Sequence, residues 1–234
     1  MISLERQDGV WVLQMNDGEN RFNDTSVSAL LGALDQVERS SEPGALVTVG
    51  SGKFYSNGLD LEYISKLTAA QAQAFVGRVH ELLARMLYLP VITVAAVNGH
   101  AFAAGAMLML AHDYRVMRSD RGYFCLPEVD INIPFTEPMA ALIQARLPKL
   151  TAHEAMVTGK RYAAEEARAR QIVDAATEEA RVLPDAIALA KPHNAKSKVT
   201  LGLIKRGAYP QMQAAIQAYS ALPAGKSPIP STGG

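Results

Sequence analysis

One cysteine, Cys125, among 234 residues cannot close an internal disulfide, so the fold does not depend on an oxidising compartment. Metal-ligand spacing is lacking as well. The five histidines (His80, His100, His112, His153 and His193) are widely separated, and no structural metal is expected. Charge of one sign is missing too: 23 basic residues balance 23 acidic ones, which gives nucleic acid or an anionic membrane no electrostatic footprint, and neither partner is expected. The opening Met1-Ile-Ser-Leu-Glu-Arg-Gln-Asp has no basic start followed by an apolar run, so no secretory signal is expected. The closing Ser231-Thr232-Gly233-Gly234 is not a peroxisomal address, and the cytoplasm is the expected location. Residues 91–111 carry no Asp, Glu, Lys or Arg over 21 positions, a length that can span a bilayer. Asn98, Gly99 and His100 lie in the middle of that stretch, where polar groups are costly in lipid. A buried strand, a turn and a buried helix are expected there instead.

Hydrophobic residues make up 49% of the chain, enough to bury a sizeable core in one domain. Two β-rich runs, 2–7 and 10–15, flank Asp8-Gly9 and predict a hairpin. Val27, Leu30, Leu31, Leu34 and Val37 follow helical spacing after the N-cap candidates Asp24, Thr25 and Ser26. A strand is expected over 45–49, a helix over 68–89 that Pro90 ends, a strand over 91–97 and a helix over 101–111. Short strands over 114–117 and 123–126 precede a mainly helical remainder, with helices over 138–146, 151–158, 163–171, 183–189 and 212–219. The pattern is α/β with a C-terminal helical portion: a core over 1–190, a helical region over 191–222 and a disordered Pro/Gly tail over 223–234.

Three segments each place a polar or glycine-rich turn after a strand, where outward-pointing backbone N–H groups make sites. They are Phe54-Tyr55-Ser56-Asn57-Gly58-Leu59-Asp60-Leu61, Ala96-Val97-Asn98-Gly99-His100-Ala101-Phe102-Ala103-Ala104-Gly105, and Leu126-Pro127-Glu128-Val129-Asp130-Ile131-Asn132-Ile133-Pro134. Singly, each also fits an ordinary turn, close helix packing or an exposed carboxylate. In this order and spacing, together with Thr158-Gly159-Lys160 and Ile172-Val173-Asp174, they resemble the crotonase (enoyl-CoA hydratase/isomerase) superfamily over roughly residues 1–205. Ser56-Asn57-Gly58-Leu59-Asp60-Leu61 and Ala111-His112-Asp113-Tyr114 look closest to its Δ3,Δ2-enoyl-CoA isomerases of the plant, peroxisomal type.

The resemblance implies a crotonase-like superhelix of ββα units with C-terminal helices that support a homotrimer or a dimer of trimers. It implies an acyl-CoA thioester substrate, with no cofactor beyond the CoA that the substrate carries. The backbone N–H groups of Leu59 and Ala104 become an oxyanion hole, and the Glu128 carboxylate becomes a proton carrier, its pKa raised by an apolar pocket. Thr136-Glu137 matches the carboxylate position of some isomerases, so Glu137 stays open as an alternative base. Hydratases of the family carry a second glutamate three residues after the second oxyanion donor, where this chain has Met107, so a double-bond shift is favoured over hydration; another crotonase reaction (hydration, thioester hydrolysis or decarboxylation) and non-catalytic acyl-CoA binding stay open as alternatives. Asn57, Gly58, Asp60, Gly105 and Met107 are expected to shape the substrate site, although Asp60 also suits a helix cap. Lys53, Lys66, Lys205 and Arg206 are the candidate cations for the CoA phosphates.

Overall fold

The computed structural model describes residues 1–226. Strands β1 (Ile2–Gln7) and β2 (Val10–Met15) pair antiparallel, Gln7 opposite Val10. Asp8 and Gly9 both take positive φ, 53° and 79°, as a two-residue hairpin turn whose twist matches its strands requires. Helix α1 (Asp24–Arg39) buries the expected stripe of Val27, Leu30, Leu34 and Val37. Its cap is Asn23 rather than one of the residues 24–26: the Asn23 side chain accepts from Ser26 N–H, and Ser26 Oγ accepts from Asn23 N–H.

From there the chain alternates between two sheets. β3 (Leu46–Val49), β5 (Thr93–Val97), β7 (Tyr114–Arg118) and β9 (Ala175–Thr177) extend the hairpin into a six-stranded sheet of order β1-β2-β3-β5-β7-β9. β4 (Phe54–Ser56), β6 (His100–Phe102) and β8 (Phe124–Cys125) form a second, parallel sheet of order β4-β6-β8. Each large-sheet strand from β3 to β7 is followed by a small-sheet strand, and then by helical chain. The helical pieces are α2 (Leu61–Ser65) with α3 (Ala69–Tyr88), then α4 (Ala104–Leu110), then a 3-10 turn (Pro127–Val129) with α5 (Glu137–Arg146). This is the expected ββα superhelix. The strands β4, β6 and β9 and the short helix α2 were not expected. The predicted helix over 101–111 divides into the end of β6 and α4, because Ala101 pairs with Phe124 and Ser56 before the helix begins. The sheet-to-sheet crossings need glycine: a Cβ on Gly99 would lie 2.2 Å from Lys53 O.

The remaining helices are α6 (Lys149–Thr158), α7 (Ala164–Ala169), α8 (Val182–Ala190), α9 (Lys198–Ala208) and α10 (Pro210–Ser220). α9 was also unexpected. The C-terminal helices fold onto the core: Tyr219 Oη donates to Gln73 O at 3.3 Å, and Tyr88 Oη donates to Tyr209 O at 2.7 Å. Of the tail predicted over 223–234, residues 223–226 form a turn in which Lys226 N–H donates to Gln73 Oε1; the rest of it, residues 227–234, lies outside the described residues. Among the described residues no helix is long and apolar enough to cross a membrane, and residues 91–111 form strand, turn and helix.

Lys205 proves structural. It is 4% exposed, and its Nζ donates to Asp113 Oδ2 at 2.6 Å and Val91 O at 2.8 Å. Asp113 Oδ2 also accepts from Thr93 N–H and Oγ, so one carboxylate ties α9 to the starts of β5 and β7. Removing one partner of a buried pair strands the other charge. Lys205→Met is therefore expected to cost about 3 kcal/mol in urea denaturation, and adding Asp113→Asn to recover most of that loss. A single variant as stable as the wild type would show that the pair does not anchor α9.

Candidate active site

The three motifs meet at one cavity of about 220 Å³, walled by Leu61, Phe102, Pro127, Ile131, Ile133 and Met139. Leu59, Ala104, Asn57 and Glu128 all line it. The folding of the first motif explains how Leu59 is presented. Phe22 N–H donates to Gly58 O at 2.8 Å, and Asp60 N–H donates to Phe22 O at 2.9 Å. The residues on both sides of Leu59 are thus pinned to Phe22, while the Leu59 N–H donates to none of the described residues. Ala104 is the first residue of α4, where an N–H has no partner within the helix. Its orientation comes from Ala103, a non-glycine residue at φ 49°, ψ −125°, whose own N–H donates to Cys125 O at 3.1 Å. Such backbone costs on the order of 1–3 kcal/mol and persists only where its surroundings hold it.

The two turns touch. A Cβ on Gly58 would stand 3.0 Å from Ala104 N and 2.9 Å from Phe102 O, and Gly58 has φ 81°. Gly105 lies as closely against Ser56, where a Cβ would meet the Ser56 O at 2.4 Å. Neither glycine lines the cavity; both allow the two free N–H groups to approach one another.

Glu128 sits in the 3-10 turn after β8 and is 5% exposed. Ile133 N–H donates to its carbonyl, which fixes the loop, but its Oε2 is buried without a hydrogen-bond partner. Burial pushes the carboxyl pKa up from 4.5 to about 7, opposed only by a backbone hydrogen bond of Glu128 itself. A carboxyl group of this kind can take a proton and return it near neutral pH. Among the described residues it is the only acidic side chain on the cavity wall.

Other expected site residues lie elsewhere. Glu137 is exposed at the start of α5 and lines grooves beside the C-terminal helices, not this cavity. Asp60 caps α2, its Oδ1 accepting from Tyr63 N–H at 3.1 Å, and does not line the cavity. Met107 is fully buried one turn into α4, whose every side faces core, so it packs there instead of forming cavity wall. Lys205 is engaged by Asp113. Arg206 lies over the Tyr88 ring in a separate groove with Glu38 and Glu81. Lys66 is paired with Glu62 on the surface. Lys53 remains, placed near Glu19 and over the Phe54 ring. Among the described residues the cation that does line the cavity is Arg21, a loop charge that nothing in the sequence sets apart from the others. Among the described residues no cluster suits a metal ion.

The sequence pattern of the enoyl-CoA hydratase/isomerase family matches residues 5–224. The peroxisomal enoyl-CoA delta isomerase 2 of Arabidopsis thaliana is 35% identical over 226 residues, which cover 91% of this chain and 93% of the relative. The fold is similar to that of a probable enoyl-CoA hydratase from Mycobacterium tuberculosis, with a TM-score of 0.86, 26% identity and 94% of each chain covered. It is also similar to human mitochondrial Δ3-Δ2-enoyl-CoA isomerase, with a TM-score of 0.81, 21% identity, and 94% and 92% covered.

The raised pKa of Glu128 has a consequence for stability. Folding favours the protonated form, so the stability it contributes is fully present below about pH 4.5 and is lost as pH rises through about 7. Glu128→Gln stays neutral throughout. It should match the wild type near pH 4.5 and be more stable by on the order of 3 kcal/mol above about pH 8. A stability difference that does not change with pH across this window would contradict a desolvated carboxyl.

Proposed function

The chain belongs to the enoyl-CoA hydratase/isomerase family, and from that premise we propose that it is an enoyl-CoA isomerase, moving the double bond of a 3-enoyl-CoA to the 2-position. The observation that carries the reading is a single buried carboxyl of raised pKa on the wall of the same apolar cavity as two residues, Leu59 and Ala104, with unpartnered backbone N–H groups. The relatives named enoyl-CoA delta isomerase support it.

The Glu128 carboxylate removes a proton from C2 of the thioester, and the C–H electrons pass into the carbonyl. Negative charge gathers on the carbonyl oxygen, which accepts from the N–H groups of Leu59 and Ala104. When the enolate collapses, C2=C3 forms, the former C3=C4 electrons take the proton back from Glu128 at C4, and the carboxylate is regenerated. Loss of one such donor costs on the order of 2.7–4 kcal/mol in comparable sites. This proton shuttle needs no group beyond the substrate's CoA. Hydration would need a second group to activate water, and no other carboxylate of the described residues lines the wall. We further propose assembly as a homotrimer or a dimer of trimers, supported by the apolar side chains Val199, Leu203 and Ile204, each more than 60% exposed on α9.

Absorbance of the conjugated thioester formed from 3-enoyl-CoA tests the reaction. Glu128→Gln is expected to lose at least about 10²–10⁴-fold in kcat, and Glu137→Gln to stay close to the wild type. Because the base must be ionised, kcat/KM should rise with pH and reach half its maximum near pH 7. Rapid hydration of 2-enoyl-CoA by the wild type, or loss of activity in Glu137→Gln but not in Glu128→Gln, would overturn the assignment.

A further inference from the structure

One carboxylate, that of Glu19, organises two cavity-lining side chains at once. Glu19 Oε2 accepts from Arg21 Nε at 2.7 Å and from Asn57 Nδ2 at 2.8 Å, and Arg21 Nη2 lies 2.6 Å from the same oxygen. The Asn57 backbone N–H also donates to Glu19 O at 2.9 Å. These bonds fix which ends remain for a ligand. With Nδ2 engaged by Glu19, the Asn57 amide has Oδ1, an acceptor, as its free end. With the Nε–Nη2 edge engaged, the guanidinium keeps the Nη1 side, a donor pair suited to an anionic oxygen. Lys53 lies close enough for its charge to act on Glu19. A simple surface ion pair would not need the amide, and it would not place both partners on the wall of an otherwise apolar cavity.

We propose that Glu19 holds Asn57 and Arg21 as a two-point clamp for the CoA arm, Asn57 Oδ1 accepting an amide N–H of the pantetheine and Arg21 binding a phosphate oxygen. The clamp rests on the acyl-CoA reading above. Asn57 lies two residues before the oxyanion donor Leu59, and in a CoA thioester an amide N–H follows the sulfur after two methylenes. The phosphates lie farther along the arm, toward the exposed Arg21. Glu19 is a positioning residue; it meets the substrate through its partners.

Binding of saturated thioesters reads the clamp whether or not the double-bond shift takes place. Butyryl-CoA carries the amides and the phosphates, whereas S-butyryl-pantetheine carries the amides with no phosphate. Arg21→Met is expected to weaken butyryl-CoA roughly ten- to hundred-fold more than it weakens butyryl-pantetheine. Asn57→Ala is expected to weaken both by a similar factor, roughly three- to tenfold. Glu19→Gln should lower the ratio of the two affinities in the direction of Arg21→Met, and Arg21→Lys should restore part of it. A loss merely of folding would weaken both ligands alike in every variant. Equal effects of Arg21→Met on the two ligands, or no effect of Asn57→Ala on either, would overturn the clamp. If the wild type binds neither thioester, the acyl-CoA reading itself fails, an outcome distinct from both.

Discussion

The site depends on one close approach, that of Gly58 against the backbone of residues 102–104. There is no room for a methyl group there: a Cβ would come within 3.0 Å of two backbone atoms and of the Ala103 Cβ. Because the approach is made by backbone, side-chain rotamers cannot relax it. It couples the turn after β4 to the turn after β6, and so brings together two N–H groups separated by 45 positions in sequence. The pinning of Gly58 and Asp60 to Phe22 extends the coupling to the strand-like segment ahead of α1. The strain at Ala103 belongs to the same arrangement. Its positive φ costs on the order of 1–3 kcal/mol, offset by its hydrogen bond to Cys125 O and by the helix that starts immediately after it.

The small sheet gives these turns their common origin. β4, β6 and β8 run parallel, so their C-terminal ends lie together, and each opens into a loop that carries one part of the site: Leu59, Ala104 and Glu128. Function at the carboxyl ends of parallel strands follows from helix starts and turn N–H groups facing outward there. The large sheet contributes rigidity instead. Every residue of β3 and β5 is buried, and a hydrogen-bonded trio of Thr48, Tyr55 and His112 links the two sheets through the core. The Leu108 carbonyl can only accept, so His112 carries its proton on Nδ1 and accepts at Nε2 from the Thr48 hydroxyl, which in turn accepts from Tyr55. Burial lowers the His112 pKa to about 4, which keeps that trio neutral.

Much of this was legible in the sequence because it is carried by local chemistry. The Asp8-Gly9 turn, the apolar stripe of α1 and the order of the three motifs all depend on residues close in sequence. What was missed depends on distant partners. β4 and β6 are three residues each, too short for an alternating pattern, and exist because each pairs with neighbours 23 to 46 positions away. Lys205 looks like any helix-surface lysine until Asp113 and Val91 are brought beside it. Met107 was expected on the cavity wall by its offset from Ala104, but α4 is enclosed on all sides, so offset along it does not decide what faces the cavity. Arg21 sits in a polar loop without periodicity, and only the fold shows that the loop borders the cavity.

Charge conservation in the cavity suits a single carboxyl group in the proposed reaction. With Glu128 ionised and the thioester neutral, the apolar space would hold one negative charge; after the proposed proton transfer it would still hold one, now on the thioester oxygen. The proposed reaction thus transfers the charge between two places. At the first, Glu128 Oε2 has no hydrogen-bond donor, and burial makes the carboxylate basic enough to take a proton near neutrality. At the second, two donors without other partners await the charge, in a medium where such hydrogen bonds are worth more than in water. A second ionised carboxylate in the same space would repel the first and raise its pKa further, which helps only if there is a water to activate between them. Without one, the more economical arrangement is the one present: an under-solvated base, an over-provided oxyanion site, and walls that keep water from satisfying either.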